Sequence, residues 1–140
     1  MDINSLDRFL EAQERMYPLA LKEIKGGKKR SHWMWYIFPQ LRGLGTSSMA
    51  HAYGISGLDE AKAYLAHLLL AERLCELCAA LLEHKDKSAY AIFGGIDEMK
   101  LKSSMTLFAL VSEDGSVFHR VLDRFFDSEM DGATVKLING

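Results

Sequence analysis

Apolar residues recur along most of this chain at the three- and four-residue spacing of an amphipathic helix. Leu6, Phe9, Leu10, Gln13 and Met16 or Tyr17 form a first stripe, with Asn4 or Ser5 placed to cap it. Pro18 suits the first turn of a second helix over residues 19–24, stopped by Gly26-Gly27. Ser31 is placed to cap a short helix through Phe38, which Pro39 ends by disfavouring the α region at the residue before it. Residues 41–48, LRGLGTSS, read as a loop, and Ser48 caps a helix through Tyr53. Asp59 and Glu60 suit the first turn of a helix with Ala61, Tyr64 and Leu65 on its apolar face.

The strongest amphipathic pattern lies over residues 71–82. Leu74, Leu77, Cys78, Leu81 and Leu82 fall on one side, and Glu72, Arg73, Glu76 and Glu83 mostly on the other. A short helix over 88–93 ends at Gly94-Gly95, and Asp97 caps a longer one running through Met105 to Leu110. Asp114-Gly115 is a turn, and Val117, Val121, Leu122, Phe125 and Phe126 mark a last helix. The tail from Asp131, with Thr134, Val135, Leu137 and Ile138, reads as a short extended segment. No run alternates with period two beside a hairpin turn. The pattern therefore predicts one all-α domain over residues 1–140, with seven or eight short helices and at most a minor extended C-terminal segment.

Composition narrows the classes. At 140 residues the chain can bury a core without metals or disulfides, and 49% hydrophobic with 26% charged is ordinary globular usage. A net charge of −2 supplies no global field toward nucleic acid or an anionic membrane. The N-terminus lacks the basic and apolar regions of a signal peptide, and the longest apolar run, residues 65–71, is interrupted by His67 and is too short to span a bilayer. Cytoplasmic localisation is the expectation.

Residues 28–40, KKRSHWMWYIFPQ, are the hardest to explain as ordinary core. His32, Trp33, Trp35, Tyr36 and Phe38 crowd behind Lys28, Lys29 and Arg30. Rings with polar tips line many small-molecule sites, and cations beside a helix start suit an anion. Loop 41–48 adds Ser47, Ser48 and other hydroxyls on a glycine-rich backbone. The plain alternative is that the rings pack inward and the cations sit in water. GLG alone lacks the spacing of a dinucleotide fingerprint.

Three further groups carry less. Ser103, Ser104 and Thr106 lie in a helix interior, so either Ser103 or Ser104 faces a pocket with Lys102 supplying a charge, or the hydroxyls bond back to carbonyls or permit close helix packing. Cys75 and Cys78 match a CxxC spacing, but the helix already runs ahead of them and no second ligand pair completes a zinc site. Among five scattered histidines, His32 neighbours the aromatic cluster and His51 follows the hydroxyl-rich loop; either suits a base, the plain alternative being a structural or surface residue.

The strings SHWMWYIFPQLRGLGTSSMAHAYGI, LDEAKAYLAH, IFGGIDEMKLKSSMTLF and FHRVLDRFF resemble the family known as domain of unknown function 1810, over nearly the whole chain from Leu6 to about Leu137. The resemblance implies a mainly helical fold and no established activity. After AYLAH that family usually continues with Pro and then Gly, whereas Leu68 and Ala71 stand here, so a soft or absent helix break is expected. The name calpastatin, sometimes attached to such chains, implies a disordered, proline- and lysine-rich inhibitor. Two prolines and a dense apolar pattern do not fit it.

The functional expectation is a small anionic, ring-containing metabolite, nucleotide- or ADP-ribose-like, held in a pocket lined by residues 28–48. Trp33, Trp35 and Tyr36 would wall it, Lys29 and Arg30 would neutralise phosphate, and Ser47 and Ser48 would donate hydrogen bonds. Gln40 and His32 would read polar edges, with Lys102 a further cation. Hydrolysis would use His32 as base, with Ser104 a second catalytic candidate. No cofactor, metal or membrane is expected, and nucleic acid is disfavoured. The alternative is a non-enzymatic protein–protein interaction module.

Overall fold

A computed structural model describes residues 2–140 and places eight helices in them, with no named strand. They are α1 (Asp7–Lys25), α2 (Met34–Ile37), α3 (Ser48–Tyr53), α4 (Leu58–Ala66), α5 (Leu68–Leu82), α6 (Ala89–Leu110), α7 (Val117–Phe126) and α8 (Gly132–Asn139). Packing runs from α1 to α5, α5 to α7, α7 to α6 and α6 to α8. Helix α4 touches both α5 and α6, and α2 joins α1 to α3. The stripes seen in the sequence are what meet: Leu74, Leu77, Cys78 and Leu81 of α5 are buried with Phe9 and Ile24 of α1 and with Val121 and Leu122 of α7.

Aromatic rings thread this core. Phe9 meets Tyr64 edge-on at 5.2 Å, Tyr64 meets Phe108 at 5.2 Å, and Phe108 meets Phe118 at 5.6 Å. Polar groups inside are paired, as burial demands, the Ser104 hydroxyl excepted. Gln13 donates to the Tyr36 carbonyl at 2.8 Å and to the Tyr64 hydroxyl at 3.0 Å. Arg8 is almost fully buried and spends all five guanidinium N–H groups. Two pair with the Glu60 carboxylate at 3.0 Å each, and three go to the carbonyls of Ser5, Ala52 and Gly54. That arginine ties α1 to α4 and to the α3–α4 connection.

Several local expectations change: Leu6, not Asn4 or Ser5, stands at the start of α1, and Ser47, not Ser48, caps α3. Pro18 lies inside α1 rather than opening a second helix. Both Pro18 and Glu14 are exposed, so the carbonyl deprived of its i+4 donor stays open to water. The break between α4 and α5 is sharp, not soft: His67 is extended (φ −80°, ψ 113°), ends one helix and caps the next. Ser31 caps nothing; α2 is a single turn from Met34. The tail is helix α8, not an extended segment. Asp131 caps it by accepting from the Thr134 amide at 3.0 Å and the Thr134 hydroxyl at 2.6 Å, while Ser103 and Thr106 of α6 hold Asp131 in place.

Gly94 interrupts α6 where the sequence placed a stop. Its φ of 81° and ψ of 171° belong to a region open essentially to glycine alone, and nothing crowds the missing Cβ. Gly94→Ala should therefore cost about 1–3 kcal/mol through backbone strain alone. Thermal unfolding checks this, and an unchanged midpoint would show that the kink relaxes at no cost.

Candidate functional site

The segment at 28–48 is organised around one carboxylate. Glu23, in the last turns of α1, accepts from the Arg30 amide at 2.9 Å, the Ser31 amide at 3.0 Å, the Ser31 hydroxyl at 2.6 Å and the Trp33 indole N–H at 2.8 Å. Burial by itself would raise this carboxyl. Four donors outweigh it, led by the Ser31 hydroxyl, and hold its pKa at about 2, below the ordinary 4.5. The Gly26-Gly27 turn lets the chain double back onto the helix it has just left, Gly27 taking a φ of 79°.

Trp33 is fully buried, packed near Phe38 and Phe93, with its one polar atom bonded to Glu23. It has no face left for a ligand. Tyr36, Ile37 and Phe38 are buried as well. Lys29 also turns inward: its ammonium lies 2.8 Å from Asp97, 2.6 Å from the Ser31 carbonyl and 4.9 Å from the Trp33 ring centre. Asp97 is thus not a cap but an ion-pair partner, shared with Lys100 at 3.7 Å. Lys100 in turn sits 5.0 Å over the half-buried Trp35 ring.

Trp35, Gln40 and Tyr53 share a recess of only about 10 Å³, enough for one water at most. It cannot hold a nucleotide. Ser47 uses its hydroxyl to cap α3, accepting from the Ala50 amide at 3.1 Å, and Ser48 is exposed. The α6 hydroxyls mostly bond back as the plainer expectation had it: Ser103 to Met99 at 3.0 Å and Thr106 to Lys102 at 2.8 Å. Lys102 pairs with Glu129 at 2.6 Å. Ser104 is fully buried, and its hydroxyl has no hydrogen-bond partner among the described residues. His32 is exposed on the segment after α1 and makes no hydrogen bond to Ser104. The expected constellation is therefore dispersed over core, surface and two separate helices, with Arg30, His32 and Ser48 still facing solvent.

Concavity instead appears at the two ends of the segment. At the far end, residues 41–44 face α8 and the start of α4. An isolated parallel bridge, Leu41 to Ile55, closes the excursion between them, with Arg42 N–H donating to the Ile55 carbonyl at 2.7 Å. One recess of about 330 Å³ is lined by Leu41, Arg42, Ser56, Gly57, Leu58, Leu137 and Ile138. A second, of about 540 Å³, adjoins it across Leu137 and includes Gly43, Leu44 and Lys136. Among the described residues, the Arg42 guanidinium bonds neutral acceptors, the Ile3 and His51 carbonyls and the Asn4 side chain. At the near end, a recess of about 370 Å³ lies between α1 and the 28–30 strap. Sequence reasoning missed Ser56, Leu58, Lys136 and Leu137 at one end and Lys22 at the other. No local signal marks them, because contacts across the fold assemble them.

Among the described residues, no three His, Cys, Asp or Glu side chains are grouped to hold a metal ion, and both cysteines are free thiols. No helix described is long and apolar enough to cross a membrane.

No curated protein matches the chain. The crystal structure of the conserved hypothetical protein Rv1873 from Mycobacterium tuberculosis is similar to it, with 44% identity, a TM-score of 0.95, and 99% of each chain covered. The sequence model of a protein family of unknown function, DUF1810, matches residues 3–138. With that span and those eight helices, the chain belongs to the DUF1810 family.

Proposed function

We propose that this protein binds a small anionic, ring-containing metabolite of the nucleotide or ADP-ribose class in the groove between residues 41–44, the start of α4 and α8. The supporting observation is the pair of adjoining recesses that meet at Leu137, about 330 and 540 Å³, a size suited to such ligands. Leu41, Leu58, Leu137 and Ile138 supply apolar wall for a ring, and Arg42 and Lys136 supply charge with no carboxylate in direct contact among the described residues, Glu60 being the acidic neighbour that Arg42 acts on. No histidine or carboxylate side chain lines either recess, so the proposal is binding rather than turnover.

The test is thermal shift and calorimetry with a nucleotide and sugar-phosphate panel. A ligand at 100 times its dissociation constant adds roughly 2.7 kcal/mol of stability. Leu137→Asp, at an exposed position, should abolish that gain while leaving the apo midpoint nearly unchanged. No response to any member of the panel sinks the reading.

A second reading, a non-enzymatic interaction module, draws on α6. Tyr90, Ile96 and Met99 stand 65%, 78% and 50% exposed around the Gly94 kink. Sedimentation equilibrium tests its simplest form: self-association abolished by Ile96→Lys supports it, and a monomer throughout counts against it.

A further inference from the structure

We infer a second, separate binding site at the C-terminal end of α1: a recess in which Lys22, Lys28 and Arg30 grip the phosphoryl group of a small phosphorylated compound. The recess, about 370 Å³, is lined by those cations with Leu19, Glu23 and Gly26. It shares no residue with the groove at α8 and does not depend on that reading.

Charge is the first argument. Between residues 22 and 30 the chain carries Lys22, Lys25, Lys28, Lys29 and Arg30 against the single Glu23. Lys29 is neutralised by Asp97 at 2.8 Å, and Glu23 offsets one of the remaining four. Three positive charges are left over, in a chain whose net charge is −2. The partial negative charge at the end of α1 accounts for Lys22 and Lys25, both in its last turn. It does not account for Lys28 and Arg30, which lie beyond the helix, are exposed, and pair with no carboxylate among the described residues. Like charges held together repel, and an anion between them removes the repulsion.

Rigidity is the second. The strap is fixed at four successive residues: Lys28 N–H to the Glu23 carbonyl at 3.1 Å, Lys29 N–H to the Ile92 carbonyl at 2.8 Å, and the Arg30 and Ser31 amides to the Glu23 carboxylate. Lys29 points inward while Lys28 and Arg30 point out, the alternation of extended chain. Their backbone is already ordered, so binding costs only side-chain freedom. The chemistry favours phosphoryl over carboxylate. Arg30 offers a planar fork for two oxygens, and two ammonium groups match the remaining oxygen and the second negative charge. The Glu23 carboxylate at the back repels any anion driven to full depth, which places the phosphoryl at the rim.

The experiment is an amide NMR titration of the full chain with inorganic phosphate, at ionic strength held constant with sodium chloride. Saturable shifts confined to residues 22–31 are expected. Lys28→Gln and Arg30→Gln should each weaken binding about tenfold, the loss of one charge-assisted contact. Lys25→Gln, a cation outside the recess, should change it less than about twofold. Neither Lys28 nor Arg30 bonds through its side chain to the described protein, so these variants keep the amide pattern of the parent. Shifts that chloride reproduces, shifts spread over distant lysines, or equal losses for Lys25→Gln and Lys28→Gln would overturn the site and leave only a diffuse field.

Discussion

Glu23→Gln should lower the free energy of unfolding by roughly 3 kcal/mol, the upper range for hydrogen bonds made to a charged group. Glutamine keeps the size but replaces an acceptor oxygen with an amide N–H₂. The Trp33 indole and the Arg30 and Ser31 amides all donate to Oε1, which the glutamine carbonyl can replace but without the charge that strengthens those bonds, while the Ser31 hydroxyl loses its acceptor Oε2 to an N–H₂ group. Urea denaturation measures the loss, and amide hydrogen exchange should show Arg30 and Ser31 less protected in the variant than in the parent. The same cluster sets an acid limit. The folded carboxyl titrates near 2, below its ordinary 4.5. Its contribution is complete above about 4.5 and drains away as pH falls toward 2, because the unfolded chain binds the proton first. The variant should lack that part of the acid destabilisation. A parallel pH profile for parent and variant would show that Glu23 contributes no such linkage.

Arg8→Ala should cost about 3–5 kcal/mol, since it strands the Glu60 carboxylate and three backbone carbonyls together. The carboxyl of Glu60 would rise by burial, but bonds from Arg8 and the Ser56 amide keep it low. With Arg8 gone, only the Ser56 amide remains of the two. The double variant Arg8→Met, Glu60→Leu should recover only the part due to the stranded carboxylate, because the three carbonyls stay unpaired and the Ser56 amide loses its acceptor. A double-mutant cycle in urea separates the pair energy from the packing. A loss below about 1 kcal/mol for Arg8→Ala, the figure for an exposed pair, would contradict the burial argument.

These two clusters also mark where reading the sequence stopped. Helix α5 was legible because Leu74, Leu77, Cys78 and Leu81 repeat at helical spacing and that spacing is what packs. The Gly94 break was legible because glycine there had a backbone reason to exist. Helix α8 was misread because Val135 and Ile138 favour extended chain locally, while Asp131, held by Ser103 and Thr106 from a distant helix, decides otherwise. Pro18 misled for the converse reason: a helix whose buried stripe continues through Ala20 and Ile24 gains more from packing than it loses in one hydrogen bond.

The candidate site divides along the same line. That Trp33 and Trp35 differ, one sealed on Glu23 and the other half-open under Lys100, does not follow from two indoles in a row of aromatics. Nor does the turning of Lys29 inward between two outward cations. Periodicity and turn chemistry, which act over a few residues, fixed the helical class, most element positions and the unusual character of residues 28–40. Which ring is core, which cation is free and where the surface is hollow depended on partners distant in the chain, such as Glu23 for Trp33 and Asp97 for Lys29. Such contacts form only when the helices pack, because burial sets the cost of leaving each polar group unpaired.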